Sequence, residues 1–238
     1  MHPVVFNGGT FDLYTQLPPR FQAGQPLSVY IEGDGYAYVS RQRLNDDPTP
    51  REAVALDMAV RDSAPNVVYL ARPCQYVSGS QRRNCQPAYW SIARYSENVI
   101  ASTNQVIDQL MARSGARGLR LYGHSGGATV ALLVAARRQD VISVMTAAGL
   151  LDTEAWTTMD GLAPLVHSLN PADQTQRLAA IPQLHLLGGD DDVIAPAVAQ
   201  SYAARFPTGQ QPRLQIVPGQ THTCCWAEHW PEFLRARP

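Results

Sequence analysis

Lysine is absent from this chain: all 19 of its basic residues are arginine. Without an amine side chain there is no Schiff-base chemistry and no Ser-Lys dyad. Charge is sparse, at 16% of residues, and nearly balanced, with a net charge of −1. That removes the basic excess expected of a nucleic-acid-binding protein or of a membrane-surface patch. Long apolar runs are missing as well. The longest, around Ala128 to Ala136, is far too short to be an integral membrane segment. The opening Met1-His2-Pro3-Val4-Val5-Phe6 does not read as a charged-then-apolar leader.

Cysteine is scarce but even in number: Cys74, Cys85, Cys224 and Cys225, with no CxxC. Structural zinc typically takes four ligands in spaced pairs, so no metal is expected. Cys74 and Cys85 bracket a polar stretch that reads as a loop. A disulfide closing it fits an exported protein, and a periplasmic or secreted setting is favoured over a cytoplasmic one. The other reading is a set of free, partly buried thiols. Cys224 and Cys225 would pair with Cys74 or Cys85, or with each other.

What is present is a regular alternation of strand-like and helix-like segments. Strands are expected at Leu27–Glu32, Asn66–Ala71, Gly118–Tyr122, Val141–Ala147, Ile181–Leu187 and Arg213–Val217. Helices are expected at Arg51–Arg61, Trp90–Arg113, Ala128–Arg138, Pro196–Phe206 and about Trp226–Arg235. Alternation of this kind implies βαβ units, and so an α/β fold with a mostly parallel central sheet and helices on both faces. Its 238 residues suit one such domain. The irregular stretch from about 149 to 180, which holds Trp156, is placed where a short lid or cap would be inserted.

Gly123-His124-Ser125-Gly126-Gly127 fits the G-x-S-x-G nucleophile elbow. It follows an apolar strand and opens an Ala/Val-rich helix, the setting that the motif requires. Ser125 would sit at strained dihedrals in the turn, with glycines leaving room where helix crosses strand. A serine hydroxyl needs a base. In hydrolases with this elbow the chain order is Ser, acid, His. His2 is terminal, His124 lies inside the elbow, and His167 and His185 precede the acid candidates. His222 and His229 remain. His222 lies in a loop directly after the strand ending at Val217, the strand end where open α/β sheets build their sites; His229 belongs to the last helix. His222 is therefore the expected base.

The acid should follow the strand Ile181–Leu187, where Asp190, Asp191 and Asp192 stand together; Asp152, after Val141–Ala147, is the rival. Two backbone N–H groups are expected to form the oxyanion hole: that of Gly126, after the nucleophile, and that of Asp34 in the turn Glu32-Gly33-Asp34-Gly35.

Ser125, the Asp192 loop, His222 and the Glu32–Gly35 turn together resemble the α/β-hydrolase superfamily, over roughly Leu27 to Phe233. The resemblance implies a small or absent cap and a serine hydrolase acting through an acyl-enzyme. Members often carry G-x-x-D with Pro four residues later; Gly189, Asp192 and Pro196 match that spacing, which makes Asp192 the implied acid. Where many members have His-Gly, this chain has Glu32-Gly33. A similar pairing of Glu-Gly-Asp-Gly with Arg-Pro-Cys-Gln-Tyr marks a group of bacterial hydrolases of no assigned activity. The Ala71–Tyr76 segment stands where members have a pocket-wall turn.

The expected substrate-lining residues are Glu32, Gln75, Tyr76, His124, Trp156 and Trp226. The reaction would be ester cleavage (or thioester or amide), on a small-molecule acyl substrate, with no cofactor. A peptidase could use Glu32 or Asp34 to bind a substrate amine, and acyl transfer would use the same residues. A hydrolase fold kept only as a binding module would be expected to have lost a triad member.

Overall fold

The computed structural model describes residues 1–40 and 43–238. In chain order the strands are β1 (His2–Asn7), β2 (Asp12–Leu17), β3 (Leu27–Ile31), β4 (Tyr38–Ser40), β5 (Arg43–Leu44), β6 (Val67–Leu70), β7 (Leu119–His124), β8 (Val141–Ala147), β9 (Gln183–Gly188) and β10 (Arg213–Val217). The helices are α1 (Val54–Ala59), α2 (Glu97–Ser114), α3 (Gly126–Ala135), α4 (Thr153–Met159), α5 (Thr175–Leu178), α6 (Pro196–Ala204) and α7 (Trp226–Phe233).

Eight strands form one sheet in the order β1-β2-β6-β3-β7-β8-β9-β10. The six from β6 to β10 in that order run parallel, and β1 and β2 add an antiparallel edge. The expected α/β class and mostly parallel sheet are thus observed. The edge hairpin of β1 and β2 is an addition to the expected set.

The central strands are largely apolar because helices cover both faces. All five residues of β3 are buried, and their alternation splits the core. Leu27, Val29 and Ile31 face the cluster under α2, α3 and α6. Tyr30 faces a second cluster under α1 and α7, with Tyr69, Tyr122 and Trp230. There Tyr30 stacks on Tyr122 at 4.3 Å between ring centroids, and Trp230 donates its indole N–H to Tyr30 Oη at 2.8 Å. A buried indole needs such an acceptor.

The long helix starts later than its composition suggests. Helix α2 begins at Glu97, not Trp90; Pro87–Trp90 is a single 3₁₀ turn and residues 91–96 are non-helical. Between 149 and 180 the chain forms α4, a 3₁₀ turn at Pro171–Gln174 and α5. No helix among the described residues is long and apolar enough to cross a membrane.

Cys74 and Cys85 are joined by a disulfide, and Cys224 is joined to Cys225. The Cys74–Cys85 bridge closes the loop that follows β6. Because the strands of the parallel region point the same way, the loops after β3, β6, β7, β9 and β10 gather at one end of the sheet.

Candidate active site

Ser125 stands between the end of β7 and the start of α3 with φ +54° and ψ −126°. A non-glycine residue rarely adopts positive φ, and doing so costs on the order of 1–3 kcal/mol. The turn that imposes this conformation leaves no room for side chains beside it. A Cβ on Gly127 would collide with the carbonyl of Ile31, and one on Gly126 with the Asp34 carboxylate. The two glycines therefore let α3 and the end of β3 approach each other behind the serine.

His222 reaches the serine from the loop after β10. Its Nε2 lies 2.9 Å from Ser125 Oγ. Its Nδ1 lies 3.0 Å from Asp191 Oδ2 and 3.2 Å from Oδ1. The partner of His222 is thus Asp191, one residue before the expected Asp192, which is exposed. The turn after β9 explains the offset. Gly188 is the glycine packed more tightly against the histidine loop: a Cβ there would meet the Gln220 carbonyl at 2.6 Å and Asp191 Cβ at 3.0 Å, whereas one on Gly189 would come no nearer than 3.2 Å to Pro218 and the Val217 carbonyl. The G-x-x-D spacing therefore runs from Gly188 to Asp191.

Asp191 is buried, and Oδ1 also accepts the amides of Val193 and Ile194, each at 2.9 Å. Burial pushes its pKa up, but the hydrogen bonds from His222 and these amides outweigh it and hold the carboxyl below the usual range. The rival Asp152 is engaged elsewhere. It caps α4 through Ala155 N–H at 3.1 Å and accepts from Asn170 and Ser201. His185 is buried against Thr146 and Gln183, and His229 is on α7, 4.0 Å from Glu232.

The histidine loop is held from behind by two donors to the His222 carbonyl. His124 Nε2 lies 2.8 Å from it and Trp226 Nε1 3.2 Å, the indole also reaching the Thr221 carbonyl at 3.0 Å. Burial, with His222 beside it, lowers the pKa of His124 to about 4. It is neutral at pH 7, so an Nε2–H donor is the tautomer that satisfies this contact.

The turn after β3 faces the serine across the elbow: a Cβ on Gly33 would lie 3.2 Å from Ser125 Cβ. The Gly33 amide is taken by Glu32 Oε1 at 3.0 Å, which also accepts Ala55 N–H at 3.4 Å. The Asp34 amide has no acceptor among the described residues. Gly126 opens α3, where the first amides lack an intrahelical acceptor. Burial pushes the Glu32 carboxyl up to about 7.

The Asp34 side chain is not available to a substrate amine. It is bonded to Arg94 Nη1 at 2.7 Å, Arg72 Nη1 at 2.8 Å and the Tyr95 hydroxyl at 2.8 Å. Burial opposes its ionisation, but Arg94 and Arg72 hold its carboxyl below the usual range.

A cleft of about 420 Å³ opens over Ser125 and His222. Of the residues named from sequence, Glu32, His124 and Trp156 line it. Gln75, Tyr76 and Trp226 do not. Gln75 clamps the loops, donating to the Gly33 carbonyl at 3.1 Å and accepting from Arg72 N–H. Tyr76 packs on Tyr14 at 5.0 Å, and Trp226 is fully buried behind the histidine loop. The lining that composition did not single out is Tyr36, Tyr38 and Arg94 on one wall and Val193 and Ile194 near Trp156.

No protein-family model matches the chain, and no curated protein matches it in sequence. Solved structures do match in shape. Est1E from Butyrivibrio proteoclasticus, with ferulic acid bound, superposes with a TM-score of 0.70 at 14% identity, over 98% of each chain. A serine hydrolase without a lid from Xanthomonas campestris matches at 0.60 and 16% identity, over 99% of this chain and 94% of that one. Proline iminopeptidase of Mycobacterium smegmatis matches at 0.64 and 14% identity, over 99% and 95%. This chain has the α/β-hydrolase fold. At such identities the likeness is one of fold. Esterases and peptidases both stand among these hydrolase-fold neighbours, so the bond attacked has to be argued from the residues of the cleft.

Proposed function

We propose that the protein is a serine hydrolase that cleaves a carboxylic ester through an acyl-enzyme. One observation carries this reading: the continuous chain from Ser125 Oγ to His222 Nε2 and from His222 Nδ1 to Asp191, at 2.9 and 3.0 Å. It is within the reach required of a nucleophile, its base and the group that orients the base.

Ser125 Oγ attacks the ester carbonyl carbon while its proton passes to His222 Nε2. Asp191 accepts Nδ1–H throughout, keeps the imidazole in the reactive tautomer and stabilises the imidazolium. The free amides of Asp34 and Gly126 receive the charge that develops on the carbonyl oxygen. His222 then gives its proton to the departing alcohol. Water, activated by the same base, releases the acid.

An ester is preferred to a peptide because the two carboxylates beside the nucleophile are not free for a substrate amine, the third acid of the lining, Glu52, being solvent-exposed. Asp34 is spent on two arginines, and Glu32 is buried and bonded to backbone.

The test is labelling by a fluorophosphonate probe, followed by turnover of p-nitrophenyl esters of increasing length beside aminoacyl-anilides. The folded protein should be labelled at Ser125 and should hydrolyse the esters faster than the anilides. A folded protein that resists the probe would point instead to a binding module; faster anilide turnover would make it a peptidase.

A further inference from the structure

Arg94 is buried in the wall of the cleft, yet its guanidinium is only partly used. Nε donates to the Ser91 carbonyl at 2.7 Å and Nη1 to Asp34 Oδ2 at 2.7 Å. Nη2 meets no acceptor among the described residues, and it is not sealed from solvent. Arg94 lines the cleft beside Tyr38, its guanidinium carbon 5.9 Å from the Tyr38 ring centroid.

The charge around it does not balance. One carboxylate, Asp34, serves two guanidinium groups, Arg72 and Arg94, and the third partner, Tyr95, is neutral. Arg72 turns away from the cleft, donating Nη2 to the Arg94 carbonyl. The surplus positive charge is thus presented by Arg94. A buried charge of this kind is costly unless paired, and a planar guanidinium with free donors suits a carboxylate. Glu32, the other buried acid of the cleft, forms no ion pair with it. At the rim Arg51 lies 3.8 Å over the Tyr36 ring; its charge is offset there by the neighbouring Glu52, which leaves Arg94 as the cation inside the cleft.

The position relative to the nucleophile is tight. The Asp34 carboxylate that Arg94 grips is the group that abuts Gly126, directly after Ser125. A substrate group on Arg94 would therefore be a few bonds from the scissile carbonyl.

We propose that Arg94 is a substrate-recognition residue and that the natural ester carries a carboxylate, the free end of a short dicarboxylic hemiester or of a hydroxy-acid ester. Hydrolysis would add water across the ester, leaving a dicarboxylate and an alcohol in the first case and an acid and a hydroxy acid in the second. The inference rests on the serine hydrolase reading above, and the two are tested separately.

The experiment compares monoethyl with diethyl glutarate by pH-stat, and 4-acetoxybutyrate with its ethyl ester; the first pair places the carboxylate on the acyl side and the second on the alcohol side. In parallel, glutarate is tested for protection of Ser125 against a neutral fluorophosphonate. The expected result is kcat/KM about 10- to 100-fold higher for the anionic member of one pair, the range for a charge-assisted hydrogen bond, together with protection by glutarate. Arg94→Gln should lower the anionic rate more than the neutral one, collapsing the ratio, and Arg94→Lys should restore part of it. If Arg94→Gln fails to fold, the wild-type ratio and the protection decide alone. Labelling of Ser125 without protection, and with ratios at or below one, overturns the inference while leaving the hydrolase standing. Absence of labelling in the folded protein overturns both.

Discussion

Asp191 Oδ2 lies 3.0 Å from His222 Nδ1, and the same carboxylate closes its own turn through the Val193 and Ile194 amides. The carboxylate that faces His222 is thereby fixed by backbone donors that no rotation of the histidine can disturb. Asp191→Asn would keep the turn, since an amide oxygen can still accept from both amides, but would remove the anion that fixes the His222 tautomer. The loss in kcat should be about 10³–10⁴-fold on any ester turned over, by comparison with triads elsewhere. Asp192→Asn, at an exposed position, should stay within about twofold of the parent, as surface changes away from specific contacts do. Comparable rates for the two variants would remove Asp191 from the triad.

A second expectation concerns pH. The Glu32 carboxyl, at 2% exposure, has its pKa raised from about 4.5 to about 7, chiefly by burial. Below pH 4.5 it is protonated in both folded and unfolded chains and has no effect. Between 4.5 and 7 the unfolded chain loses its proton first, so folding stability falls, by on the order of 3 kcal/mol at pH 8. His124 and His185 act in the opposite direction. Burial lowers them to about 4 and about 3, so they lower stability as pH falls below about 6.5. The wild-type profile mixes the two trends, and Glu32→Gln separates them. Urea unfolding from pH 4.5 to 8 should show the variant gaining on the parent as pH rises. A constant difference between the two proteins would mean that Glu32 ionises normally.

The strands of the parallel region were legible from their apolar runs and flanking turn signals, the half-exposed edge strand β10 included. Val141–Ala147 and Arg213–Val217 have the same limits in the sequence reading and in the structure. The edge hairpin was not, because in β2 the inward positions Leu13, Thr15 and Leu17 include a polar residue whose hydroxyl is satisfied by the Val4 carbonyl. That Ser125 and His222 would come together was readable from the motif and the chain order. The acid was missed by one residue because two adjacent glycines and three adjacent aspartates make the spacing ambiguous, and only packing against the Gln220 carbonyl selects Gly188. Arg94 was hidden because it lies in a stretch with helical composition. Its segment, 91–96, leaves the helix and turns the guanidinium to Asp34, a contact sixty residues away in the chain.

The Cys74–Cys85 bridge supports that same wall. It closes a loop between residues eleven apart in sequence, starting two residues after Arg72. Removing such a cross-link costs about 3 kcal/mol by loop entropy. The double variant Cys74→Ala/Cys85→Ala should lower the midpoint of denaturant unfolding accordingly, and a reductant should do the same to the parent but not to the double variant at these positions. An unchanged midpoint would mean that the loop is held by its hydrogen bonds alone, such as that from the Arg72 amide to Gln75.

Trp226 offers a test of how His222 is positioned. Its indole N–H is shared between the Thr221 and His222 carbonyls, and the ring is fully buried. Trp226→Phe keeps most of the apolar volume and deletes the donor, leaving His124 alone on the His222 carbonyl. The stability cost should be about 1–3 kcal/mol, from an unsatisfied acceptor and a small void. The kinetic signature separates a positioning role from a merely structural one. If the indole aims His222, kcat and the rate of fluorophosphonate labelling fall together, by roughly tenfold for a modest misplacement of the base, while KM stays near the parent value because Trp226 lies outside the cleft. Loss of stability with unchanged kcat in the folded fraction would assign Trp226 to packing alone.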